Sequence, residues 1–369
     1  MEPREILLIP GPVSVEPEVL QGMSQPVRAH YGGDWAQFYH GLTASLQQVF
    51  KTEGDVLLLF APGTAAIESC FASTLSPGDE VVVATNGLFG DRMVDVAATL
   101  GLQVHLVTGD NYRAIGPEAL EKVLKRHPNA RAFGVVHHET SLGLANPVRE
   151  LCGVARDRGL LTIVDAVSSL GGMDLEVDDW GLDLCVSVAN KCLAGPIGVA
   201  PVSVSARTWA AVDDGRPKAA GWYLNLHTWR RFGDMWASWH PHPTTVPTNT
   251  LEGLATAVNH VLSVGLEAHK ARQAAAAARV REGLRELEFD MLVPDGDTSP
   301  VCTAVWGRPG MDVDDYLQWL RREHGLRLGG GIGSLAGKIF RVGHMGRAAE
   351  PEVVDAYLKA TAEYLELLA

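Results

Sequence analysis

Leu160-Leu161-Thr162-Ile163-Val164-Asp165 is a near-continuous apolar, β-rich run that ends on a carboxylate. A strand of this kind is buried on both faces, as in a parallel sheet covered by helices. Val186-Ser187-Val188-Ala189-Asn190-Lys191-Cys192-Leu193-Ala194-Gly195-Pro196 repeats the plan with an amine. Its strand-like run delivers Lys191 into a Gly/Pro turn, at a strand end rather than on a solvated helix face. Ligands of open α/β sheets gather beyond the C-terminal strand ends, so Asp165 and Lys191 are expected to face one site. Either residue alone is weak. Most lysines are surface groups, and an acid after a strand also serves as a helix cap or metal ligand.

Outward from this pair, short β-rich runs alternate with helical patterns between about residues 55 and 205. The expected strands are Val56–Phe60, Glu80–Ala84, Gln103–Val107, Ala132–His137, Leu161–Asp165, Leu184–Val188 and Val199–Val204. Helical patterns at Thr64–Leu75, Asp91–Leu100 and Pro117–Arg126 lie between them. The class is α/β, with a mostly parallel seven-stranded sheet in the large domain. Beyond residue 205, five tryptophans (Trp209, Trp222, Trp229, Trp236, Trp239) mark a change of character. One long helix is expected from Asn249 to Leu287, because it contains the alanine run 274–278. Strands at Val301–Trp306 and Lys338–Val342 and helices at Val313–Glu323 and Glu350–Leu368 suggest a smaller α+β C-terminal domain. The division expected is an N-terminal arm (1–15), a large domain (16–257) and a small domain (258–369).

The formal net charge of −13 and the lack of a long Lys/Arg run argue against a nucleic-acid surface. No stretch approaches the roughly 18 consecutive apolar residues of a membrane helix, and the N-terminus does not read as a secretion signal. Five cysteines without C-x-x-C spacing read as reduced thiols of a cytoplasmic protein, with no zinc site expected.

Phe60-Ala61-Pro62-Gly63-Thr64-Ala65 follows a strand and opens a helix, a workable phosphate cradle or an ordinary helix start. Phe89, in Asn86-Gly87-Leu88-Phe89-Gly90, would lie over a strand end, where it could stack on a planar ring or fill the core. His137 and His138 are adjacent, so they point to opposite faces and at most one enters the site. Arg341, within the β-like run Ile339-Phe340-Arg341-Val342, needs a partner: a substrate carboxylate, or an internal Asp or Glu. A lysine and an aspartate, each at the C-terminal end of a buried strand, suit pyridoxal 5′-phosphate. The amine forms a Schiff base with the aldehyde, and the acid keeps the pyridine nitrogen protonated.

Pro-Gly-Thr, Asn-Gly-x-Phe-Gly, His-Glu-Thr-Ser-x-Gly, Val-Asp-Ala-Val-Ser-Ser-Leu-Gly-Gly and Asn-Lys-Cys-Leu follow one another in order between Pro62 and Leu193. With them the sequence resembles the class V aminotransferases of the fold-type I pyridoxal-phosphate superfamily, in particular the alanine/serine–glyoxylate group. The resemblance implies Lys191 as the Schiff-base lysine and Asp165 as the pyridinium partner. It implies Gly63, Thr64, the Ala65 N–H and Asn190 at the phosphate, and Phe89 and Val167 on the two ring faces. Thr140 would meet the phenolic oxygen and Arg341 the substrate carboxylate. Thr245 would reach the neighbouring subunit's phosphate, implying a homodimer. His242 stands where relatives often carry a phosphate-binding tyrosine, so that contact is expected to be weaker or differently made.

The expected function is transfer of an amino group from a small amino acid to a 2-oxo acid such as glyoxylate or pyruvate. Asn190, Cys192 and the Val-Gly-His-Met-Gly run also resemble pyridoxamine–pyruvate aminotransferase. That enzyme carries an acid in the phosphate loop, where this chain has Pro62. A lyase of the same fold is a further alternative, whereas a cysteine desulfurase would need a cysteine in the segment 329–335, which has none. The tryptophan-rich stretch is expected either to line the substrate entrance or to pack a subunit interface.

Overall fold

The computed structural model describes residues 5–109 and 112–368. The seven expected strands form one sheet in the order Asp55–Leu59, Ala200–Val204, Leu184–Val186, Leu161–Asp165, Ala132–Val136, Glu80–Thr85, Gln103–Thr108. All pairings are parallel except those of Ala200–Val204, which runs antiparallel to both neighbours. Helices cover both faces. One apolar layer gathers Trp35, Phe50, Leu58 and Phe133, and the other Phe71, Val83, Ile163 and Val202. Burial on both sides explains why the strands are almost entirely apolar.

A second, four-stranded sheet holds Ile6–Leu8, Leu326–Gly330, Ile339–Gly343 and Cys302–Trp306, in that order. Two of its strands were not anticipated. Ile6–Leu8 pairs in parallel with Leu326–Leu328, so part of the expected N-terminal arm belongs to the C-terminal sheet. The Leu326–Gly330 run is short and ends in glycines, which weakens its strand signal.

The single helix expected over 249–287 is two helices, Thr248–Val264 and Leu266–Glu286. Gly265 separates them with φ of 89°, a left-handed value that glycine takes without strain. The expected domain boundary after residue 257 falls inside the first of them. Among the described residues, no helix is long and apolar enough to cross a membrane.

Candidate active site

Strand Leu161–Asp165 carries Asp165 to the C-terminal edge of the large sheet. The Val167 N–H donates to Asp165 Oδ1 at 2.9 Å, and no described residue bonds to the other oxygen. Burial raises the carboxyl to about 6, with Glu139 adding to the rise and the Val167 N–H, Lys191 and Arg92 opposing it.

Lys191 lies in the turn after strand Leu184–Val186, and its Nζ donates to the carbonyl of Pro10. A Cβ on Gly11 would collide with the lysine side chain, so the N-terminal segment lies directly against it. Burial lowers the amine below the ordinary lysine value, the Arg341 charge adds to this, and Cys192, Cys302 and Asp165 oppose it.

Both groups line a cavity of about 390 Å³, together with Gly63, Thr64, Phe89, Val167 and Asn190 of the expected set. Helix Gly63–Thr74 opens onto the same cavity without a side-chain cap. The N–H groups of Gly63 and Thr64 have no acceptor among the described residues. The Ala65 N–H, expected to hold phosphate, instead donates to the Pro62 carbonyl at 3.0 Å. A Cβ on Gly63 would come 2.6 Å from Val167 and 3.1 Å from Val188, so only glycine leaves this corner open.

The remaining expected residues lie off the cavity lining. Thr140 is buried, and its hydroxyl donates to Ser168 Oγ at 2.8 Å. His242 has both ring nitrogens engaged, one with the Trp35 indole N–H at 2.9 Å and the other with the Thr244 carbonyl at 2.7 Å. It therefore has no nitrogen left for a phosphate in this arrangement. Thr245 is exposed. Arg341 is buried on an inner strand of the smaller sheet. Nε donates to the Gly330 carbonyl at 2.9 Å and Nη1 to the Thr140 carbonyl at 3.2 Å. No carboxylate among the described residues pairs with it.

His138 and His137 diverge, as adjacent strand residues should. His138 Nδ1 lies 3.2 Å from the Ser168 carbonyl, whereas His137 meets the edge of Trp180. Burial pushes them down to about 3 and about 4 respectively, so both are neutral near pH 7. None of the five tryptophans of the 209–239 stretch lines the cavity. Trp229 is buried beneath Tyr223 and Phe60, while Trp222 and Trp239 are exposed.

Glu139 escaped the sequence reading. One of its oxygens accepts from the N–H groups of Phe89 and Gly90 at 3.1 Å each, and the other from Ser141 N–H at 3.2 Å. The carboxylate thereby caps helix Leu88–Thr99 and fixes the turn that presents Phe89. Arg92 was also missed. It lines the cavity with its guanidinium 4.9 Å from the Phe89 ring centroid.

The sequence matches the family model described as aminotransferase class-V over residues 20–349. The chain belongs to the class-V aminotransferases. An uncharacterized aminotransferase of Methanocaldococcus jannaschii is 33% identical, with 95% of this chain and 90% of the relative covered. The pyridoxamine–pyruvate transaminase of Mesorhizobium japonicum is 31% identical, with 96% and 90% covered. Among solved structures, an alanine–glyoxylate aminotransferase from Nostoc sp. superposes with a TM-score of 0.93 at 31% identity, covering 99% of this chain and 96% of that one. This aminotransferase is a pyridoxal-phosphate enzyme of fold type I. The open Gly63/Thr64 cradle, the unpartnered Asp165 oxygen and the buried Lys191 amine fit that cofactor.

Proposed function

We propose that this aminotransferase moves the amino group of a small, alanine- or serine-like amino acid to a 2-oxo acid such as glyoxylate or pyruvate. One observation carries the reading. Arg341 is a buried guanidinium held by two backbone carbonyls and left without a carboxylate partner among the described residues. The α-carboxylate common to amino donors and oxo-acid acceptors completes it through charge-assisted hydrogen bonds. The names of the Nostoc and Mesorhizobium proteins, with glyoxylate and pyruvate as acceptors, support a small oxo acid.

Pyridoxal phosphate, when bound, supplies an aldehyde for Schiff-base chemistry, an electron sink for the substrate Cα, and a carrier for the amino group between half-reactions. The N–H groups of Gly63 and Thr64 would hold its phosphate at the positive end of their helix, with Asn190 beside them. Phe89 and Val167 would flank the ring, and the Thr140 hydroxyl would have to turn from Ser168 to reach its phenolic oxygen. Asp165 would face the ring nitrogen, whose positive charge would favour the ionised carboxylate over the neutral form that burial alone promotes. Lys191 would anchor the cofactor, and burial biases its amine toward the neutral form, so that amine would serve as the base for the substrate Cα proton.

Thr245 is exposed and can serve the phosphate of a second copy, giving a homodimer with shared sites. Exposed Trp222 and Trp239 suit that subunit contact better than a substrate entrance. A screen of amino donors against glyoxylate and pyruvate, followed by the cofactor's colour change, tests the proposal. Turnover with alanine or serine supports it, and activity confined to large or acidic donors overturns it. Pyridoxamine belongs in the same screen because of the Mesorhizobium relative, but the open phosphate cradle favours firmly bound pyridoxal phosphate.

A further inference from the structure

At the edge of the large sheet, three side chains that the reaction does not use converge. Glu80 opens strand Glu80–Thr85, and His105 is in the edge strand Gln103–Thr108. His127 follows helix Pro117–Arg126, which packs against that edge strand. The parallel register sets Glu80 beside Gln103 and Val82 beside His105. Glu80 and His105 therefore share one face of the sheet. His105 Nε2 lies 2.8 Å from Glu80 Oε2, and His127 Nδ1 lies 3.9 Å from the same oxygen. The two imidazoles lie face to face, with centroids 3.5 Å apart and planes 16° from parallel. One nitrogen from each ring and one carboxylate oxygen all fall within 4.8 Å of one another.

We propose that this triad binds a divalent transition-metal ion of the zinc class, at a site separate from the catalytic centre. Two imidazole nitrogens and one carboxylate oxygen are a zinc-type donor set, whereas calcium and magnesium prefer oxygen alone. Tetrahedral bonds of about 2.0–2.1 Å place ligand atoms about 3.3 Å apart. The separations of 2.8 and 3.9 Å bracket that value, and binding requires the two stacked imidazoles to tilt apart until the ring planes meet at the ion. The side chains are 22–31% exposed, which leaves an entry path and a fourth position for water. Arg131 donates its backbone N–H to the Glu80 carbonyl, but its guanidinium turns to Asp79 and Asp214, at 3.6 and 3.9 Å, and not to the Glu80 carboxylate. A bound ion ties the edge strand to the helix that covers it.

The site was not expected, because its three residues are spread over two strands and a helix end with no metal-ligand spacing. The test is a calorimetric titration of Zn²⁺ into the holoenzyme near neutral pH, repeated on Glu80→Gln and on the His105→Ala/His127→Ala double variant. The expected result is one Zn²⁺ per chain at roughly micromolar Kd in the wild type, weakened at least about tenfold in both variants. Zn²⁺ should raise the melting temperature of the wild type alone, and Mg²⁺ should not replace it. Cofactor absorbance and turnover should be unchanged in the variants, which confirms that they fold. If the double variant loses its cofactor absorbance, His105→Gln alone takes its place. Undetectable Zn²⁺ binding at about 100 μM, or equal affinity in wild type and variants, overturns the site and leaves a hydrogen-bonded His–Glu pair.

Discussion

The side-chain nitrogen of Lys191 donates to the carbonyl of Pro10, 181 residues away in the chain. The N-terminal segment leaves strand Ile6–Leu8 in the smaller sheet and passes against the Lys191 side chain. The Val13 N–H donates to the Asn190 carbonyl at 3.2 Å, and a Cβ on Gly329 would lie 2.9 Å from the Pro10 ring and 3.6 Å from Arg341 Nη2. One strip of backbone thus holds the Lys191 amine and packs against Gly329, beside Arg341.

Gly11→Ala tests that placement. Gly11 has φ of 103°, and an added Cβ would enter the space of the Lys191 side chain. The expected cost is about 1–3 kcal/mol in stability, with kcat reduced at least about tenfold as the lysine shifts. Melting temperature and turnover measure the two effects. Wild-type values for both would show that the strip does not position Lys191.

Lys191→Ala removes both the cofactor anchor and the proposed base. The visible absorbance of the bound cofactor should change to that of the free aldehyde, and turnover should fall by at least roughly 10³-fold. Full transamination by this variant would sink the assignment.

Arg341→Ala removes the only partner proposed for the substrate carboxylate. Losing one side of a buried, hydrogen-bonded charge pair costs about 2–5 kcal/mol, so kcat/KM should drop by roughly 30-fold or more. The cofactor spectrum should persist. An unchanged kcat/KM for alanine and serine would mean that the carboxylate binds elsewhere.

Asp165 gives the apoenzyme a pH signature. Burial raises its carboxyl from 3.8 to about 6 in the fold, so the folded state holds the proton more tightly than the unfolded chain. The stability this contributes is fully present below about 3.8 and is lost as pH rises through about 6. Apo Asp165→Asn should therefore be more stable than apo wild type near neutral pH, on the order of 1–2 kcal/mol. The gap should close toward pH 4, and melting curves of both apoproteins across pH 4–8 will show it. A constant gap would assign the difference to something other than Asp165 ionisation.

The sequence by itself determined the seven strands of the large sheet and the placement of Asp165 and Lys191 at strand ends. Those features are written locally, in apolar runs of strand length followed by turn residues. The tertiary structure decided what those residues meet. It gave Arg341 two backbone carbonyls, sent the Ala65 N–H back to Pro62, filled both His242 nitrogens and placed the Glu139 carboxylate under Phe89. It also joined Ile6–Leu8 to Leu326–Leu328 and brought Glu80, His105 and His127 together. These outcomes depend on strand order, register and close packing between segments far apart in the chain. No local pattern encodes them, because a buried polar group takes whichever partner the packed fold brings within reach.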